Sequence, residues 1–120
     1  MRFMTSIYIP CGAAEGKPPE PELAAAIEKE AEQLRRAGVM LFSAGLAPSA
    51  TATRVKASGG KLSVVDGPFA EAKELVGGYA VVDVRSREEA VELGRRLMQI
   101  HLDNWPGWEG SCEIRQIAEY

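Results

Sequence analysis

From Arg2 to Ile9 the residues alternate imperfectly, with Phe3, Ile7 and Ile9 on one side and Met4 and Tyr8 on the other, as in a strand covered on both faces. Such a strand is expected at the centre of a sheet. Pro10 to Pro21 holds four prolines and two glycines, so neither regular structure continues through it and a loop of a dozen residues is predicted. Pro21 to Ala37 consists of strong helix formers, with proline in the first turn, Arg35 and Arg36 late and Gly38 as the stop. Val39 to Leu46 reads as a strand. Thr51 to Ala57 and Lys61 to Val65 read as a hairpin closed through Ser58-Gly59-Gly60, with Arg54 and Lys56 facing water. Asp66-Gly67-Pro68-Phe69 ends that strand, and a helical turn over Ala70 to Leu75 precedes Gly77-Gly78 and a strand from Tyr79 to Val84. Ser86-Arg87-Glu88-Glu89 matches a capping box and opens a helix to about Leu102, and Cys112 to Ile117 is a last strand.

Without the hairpin, this order is the βαββαβ pattern of a ferredoxin-like α+β sandwich, with both helices on one face of an antiparallel sheet. Because Phe3, Tyr79, Val81 and their neighbours supply apolar residues to both sheet faces, a second subunit packing sheet to sheet is the simplest cover, and a homodimer is expected.

Composition narrows the partners. The 120 residues carry 14 basic and 17 acidic side chains, a net charge of −3, and 46% hydrophobic residues, enough for one domain, residues 1–120, with a core that needs neither metal nor disulfide. No Lys/Arg run offers the counterion release on which nucleic-acid binding rests, so no nucleic acid is expected. Apolar stretches fall well short of the roughly 20 residues that span a bilayer. No signal-peptide pattern opens the chain, and the expectation is a cytoplasmic protein without membrane contact.

Candidate chemistry comes from misfits. A helical wheel for Ser86 to Leu102 puts Ala90, Val91, Leu93, Gly94, Leu97, Met98, Ile100 and Leu102 on an apolar arc and Glu88, Glu92, Arg95, Arg96, Gln99 and Asp103 on a polar one; His101, the only histidine, falls on the apolar arc in line with Ala90, Gly94 and Leu97. It is either a satisfied core or interface residue or a general acid/base at a cleft. On the first helix Glu30 lands within the arc of Leu23, Ala26, Ile27, Ala31, Leu34 and Ala37; it either reaches solvent at a shallow edge or is a carboxylate held partly out of water, as in active sites. Asp66 closes a turn through its carboxylate, Gly67 tolerates positive φ, and Phe69 anchors the turn in the core. Gly77 and Gly78 let the backbone approach a partner strand or a ligand. Cys11 and Cys112 fall near each other in such a sheet, and two thiols are expected rather than a disulfide. Trp105 and Trp108 flank a turn, as core or interface packing or as the rim of a pocket. No GxGxxG, Walker, HExxH, GxSxG or CxxC motif is present, and no cofactor or metal is called for.

Val65-Asp66-Gly67-Pro68-Phe69-Ala70-Glu71-Ala72-Lys73-Glu74, followed by Gly77-Gly78-Tyr79, resembles the signature of the DGPF group of the YCII-related family. Gly45-Leu46-Ala47-Pro48, Thr51-Ala52-Thr53-Arg54-Val55 and Glu113-Ile114-Arg115 extend the resemblance over nearly the whole chain. It implies a ferredoxin-like, dimeric α/β-barrel fold. It further implies acid/base chemistry by a His-Asp pair, as in relatives that dehydrochlorinate aromatic compounds, and an association with extracytoplasmic-function sigma factors. The early-chain histidine of that pair has no counterpart here, since His101 lies on the last helix. Two functions are therefore weighed. One is a small-molecule cleft in a homodimer, with Asp66, His101 and Glu30 as acid/base groups and Tyr79, Gly77, Gly78 and Phe69 contacting the ligand. The other is a non-catalytic dimeric regulatory or interaction module.

Overall fold

A computed structural model describes residues 1–11, 18–69 and 72–119. Four strands, β1 (Arg2–Pro10), β2 (Met40–Gly45), β5 (Glu74–Asp83) and β6 (Ser111–Gln116), form one sheet in the order β2-β5-β1-β6, every neighbour antiparallel. The hairpin of β3 (Thr53–Ser58) and β4 (Lys61–Asp66) is a separate two-stranded sheet. Helix α1 (Pro21–Arg36) packs on α2 (Arg87–Asn104) and β2, while α2 also packs on β1 and β6. This α+β arrangement is compatible with a ferredoxin-like fold.

Pro21 opens α1, and Gly38 leaves it at φ +73°, a conformation that costs an L side chain roughly 1–2 kcal/mol. The Ser86 hydroxyl caps α2 by accepting the Glu89 N–H at 3.2 Å, and Glu89 reaches back to accept from the Arg85 N–H at 3.1 Å. The capping box thus closes one residue further back than its usual form. Gly59 and Gly60, at φ +58° and +75°, make the tight turn between β3 and β4.

The core lies between helices and sheet. Phe3, Val82, Val84 and Ala90 are buried together, with Val39, Leu93 and Ile114 against them, and Leu23 is buried on α1. Gly94 lets α2 lie close to β6: a Cβ there would stand 2.9 Å from Ile114 Cδ1 and 3.4 Å from Cys112 Sγ. Burial holds the Cys112 thiol pKa above its ordinary value, and no disulfide joins it to Cys11.

Three expectations are corrected. The strand predicted from Tyr79 starts at Glu74, so Gly77 and Gly78 lie inside β5 and not before it. The pairing shifts register between Ile7 and Tyr8, skipping Gly77 as a bulge, and Gly78 runs so close to β2 that a Cβ would be 3.1 Å from the Ala44 carbonyl oxygen. The helical turn expected over Ala70 to Leu75 is not formed where the chain is described: Ala72 donates to the Phe69 carbonyl at 3.1 Å and the strand begins two residues on; Ala70 and Glu71 lie outside the described residues. On α2, Val91 and Leu102 belong to the predicted apolar arc yet are exposed, because they stand at its edges. Half of the predicted long loop, residues 12–17, also falls outside the described residues.

Candidate functional site

A cavity of about 750 Å³ opens where the end of β1 and the start of β5 meet the start of α1, the end of α2 and the segment after β2. Ile7, Ile9, Leu23, Ile27 and Leu75 make its walls largely apolar, and Trp105 and Trp108 stand at one side. A volume in this range suits a small-molecule ligand.

His101, in the last turn of α2 and 7% exposed, is a buried polar residue on that wall, as is Ser49. The imidazole Nδ1 lies 2.8 Å from the Leu97 carbonyl oxygen. A carbonyl only accepts, so Nδ1 carries the proton and, in the neutral ring, Nε2 carries the lone pair. The Trp108 indole lies against the imidazole, centroids 4.4 Å apart and planes tilted by 35°. Helical spacing explains the placement: the apolar arc of α2 that buries Ala90 and Gly94 brings His101 inward one turn below Leu97.

Phe69 and Gly77 share this cavity with His101. Phe69 is buried after the Asp66-Gly67-Pro68 turn, and the Arg54 guanidinium stacks over its ring at 3.8 Å. Arg54 was expected to face water; the aromatic face claims it instead. Gly67 does not need positive φ, contrary to expectation, since its φ is not in that region. Glycine is required because a Cβ would overlap the Ser49 carbonyl oxygen, where the 3-10 turn Ser49–Thr51 crosses beneath.

The other candidates lie elsewhere. Asp66 is exposed at the base of the hairpin, where its Oδ1 accepts from the Thr53 hydroxyl at 2.9 Å, and it is not a lining residue. Glu30, its side chain 14% exposed, faces α2 and meets Arg96: Nη2 donates to Oε2 at 2.9 Å and lies 2.8 Å from Oε1. The second contact is Coulombic only, since Oε1 lies off the N–H axis and is buried without a hydrogen bond. Glu30 and His101 therefore do not share a pocket. Tyr79 alternates with the helix-facing Ala80 and Val82 and so projects from the opposite sheet face, near Phe42 at 5.9 Å between centroids. Gly78 is buried against β2.

Sequence reasoning missed two members of the wall. Cys11 was weighed only for pairing, and Ser49 was not singled out; both line the cavity. A signal for Glu30 was present: a carboxylate on an apolar arc calls for a cation, and Arg96 stood on the polar arc of the other helix.

The geometry invites comparison with known sequences. A model of the YCII-related domain matches residues 1–119. The chain belongs to the YCII-related domain family. An uncharacterized protein of Rhizobium meliloti (strain 1021) is 36% identical over 77 residues, a stretch covering 64% of this chain and 58% of that protein. The match therefore spans less than two thirds of that relative. In this YCII-related chain no described helix is long and apolar enough to cross a membrane.

Proposed function

We propose that this YCII-related protein, a member of the DGPF group, binds a small, largely apolar molecule in the His101 cavity and moves a proton there through Nε2. The carrying observation is a buried histidine whose Nδ1 proton is committed to Leu97, on a cavity wall that is otherwise mostly apolar. That hydrogen bond selects the tautomer in which Nε2 is the base. When Nε2 takes a proton from an acidic C–H or O–H of the ligand, the imidazolium is stabilised by the Leu97 carbonyl and by the negative end of α2, in whose last turn it sits. Phe69 and the two tryptophans exclude water and hold the ligand by packing. Asp66 and Glu30 take structural roles in this reading, closing the hairpin base and bridging the two helices.

The fold completes the reading as a ferredoxin-like sandwich with β3 and β4 as an inserted hairpin. Met4, Phe42, Tyr79 and Val81 share the sheet face turned away from the helices, and Phe42 is 56% exposed. Two copies packed through these faces give the homodimeric α/β barrel and remove an apolar patch from water.

Because the chain has a single histidine, one pair of imidazole 15N resonances reports the site. At neutral pH it is expected to show a protonated Nδ1, and to shift on addition of neutral alicyclic or aromatic compounds with an acidic proton. The same compounds should raise the Tm of the wild type and raise that of His101→Gln less. Equal stabilisation of both proteins, with unmoved resonances, would exclude a role for His101 in binding.

A further inference from the structure

We infer that Trp108 is the positioning residue of His101: its indole fixes the plane of the imidazole so that Nε2 meets the ligand, and Gly110 is glycine in order to admit that indole. The inference rests on the proton transfer proposed above and assigns the group that holds the base in place. Among the described residues the imidazole makes one hydrogen bond, from Nδ1 to the Leu97 carbonyl. Nε2 is not sealed in, because the one described polar side-chain atom that is both buried and unbonded is Glu30 Oε1. With His101 7% exposed and on the cavity wall, the cavity is where that nitrogen opens. Leu97 lies one turn back on the same helix, so the Nδ1 bond sets the tautomer but ties the ring to α2 alone, and rotation about Cβ–Cγ breaks it. A flat partner against the ring face removes that rotation. The Trp108 indole is such a partner, with centroids 4.4 Å apart and a tilt of 35°.

The chain builds this contact locally. Helix α2 ends where the Trp105 N–H donates to the His101 carbonyl at 2.9 Å, and the Trp108 N–H then donates to the Trp105 carbonyl at 3.0 Å. Between them stand Pro106 and Gly107, the latter at φ +79°, the pattern of a type II turn. That turn brings Trp108 back onto the last turn of α2. Gly110 has a different cause. Its φ is not positive, so no left-handed backbone calls for glycine there. A Cβ at 110 would instead overlap Trp108 Cζ2 and Cη2 and stand 2.9 Å from the Tyr8 carbonyl oxygen. The Tyr8 carbonyl belongs to β1 and cannot yield, so a side chain at 110 must displace the indole.

The test reads the imidazole 15N resonances of the wild type, Gly110→Ala, Trp108→Leu and Trp108→Phe, each checked for folding by circular dichroism, with phenol and cyclohexanone as probes. Gly110 is not a lining residue of the cavity, so Gly110→Ala reaches the imidazole through Trp108. The wild type and Trp108→Phe are expected to keep the proton on Nδ1 and to shift with the probes. Gly110→Ala and Trp108→Leu are expected to show the averaged resonances of a ring exchanging between tautomers and to bind the probes about tenfold more weakly. A tryptophan that only packed would lower the Tm when lost and leave the tautomer in place. Wild-type resonances and probe response in both Gly110→Ala and Trp108→Leu therefore overturn the inference and leave the proton-transfer reading standing. If Trp108→Leu does not fold, Gly110→Ala decides alone. A wild type whose resonances neither probe moves overturns the proton-transfer reading and the inference with it.

Discussion

Glu30 shows how one side chain out of pattern is resolved by a partner 66 residues away. The carboxylate is held between two helices by Arg96, itself half-exposed, so the pair is worth more than a surface bridge but is still wetted on one side. Arg96→Ala leaves Glu30 Oε1 and Oε2 partly buried without their cation and is expected to cost about 1–2 kcal/mol in urea unfolding. Glu30→Gln/Arg96→Ala should recover part of that loss. Cys112 makes a pH prediction. Its thiol pKa is raised by burial, so the native state holds the proton after the unfolded chain has released it. The stability it confers is whole below the ordinary thiol value of 9.0 and is lost as pH rises through the higher folded value. Cys112→Ala should flatten the alkaline limb of the stability profile, and iodoacetamide should modify native Cys112 more slowly than the unfolded thiol.

Elements with a local cause were legible: α1 stops short of Gly38 and α2 starts just after its Ser86 cap, as the sequence predicts. Ser86→Ala removes an acceptor for an orphan helix N–H and should lower stability by about 1 kcal/mol, read as a Tm shift of a few degrees. The β5 start was misplaced because Gly77-Gly78 normally punctuates a chain. Here the pair is spent on a bulge and on close approach to Ala44, a requirement set by β1 and β2 and invisible from β5 alone. Gly67 has the same character: the motif was visible, but its reason, the Ser49 carbonyl beneath it, is tertiary.

The chain as a whole is flat, 45 × 40 × 19 Å, the thickness of one helix layer on one sheet. Its Cα radius of gyration of 15.9 Å exceeds the roughly 13.5 Å of a compact chain of this length, as a projecting hairpin requires. Amides of β3 and β4 are therefore expected to exchange hydrogen far faster than those of β1 and β5; equal protection would show the hairpin to be stable by itself. Of the candidate site, the sequence by itself determined that His101 lies on the buried arc of an amphipathic helix and that Phe69 is an anchor, because periodicity and turn chemistry are local. It also determined the order of strands and helices. Only the tertiary structure decided that His101, Phe69 and Gly77 meet in one cavity while Asp66, Glu30 and Tyr79 stand outside it. Which distant side chains converge depends on strand register and on the sheet face each residue takes, and a single bulge resets both.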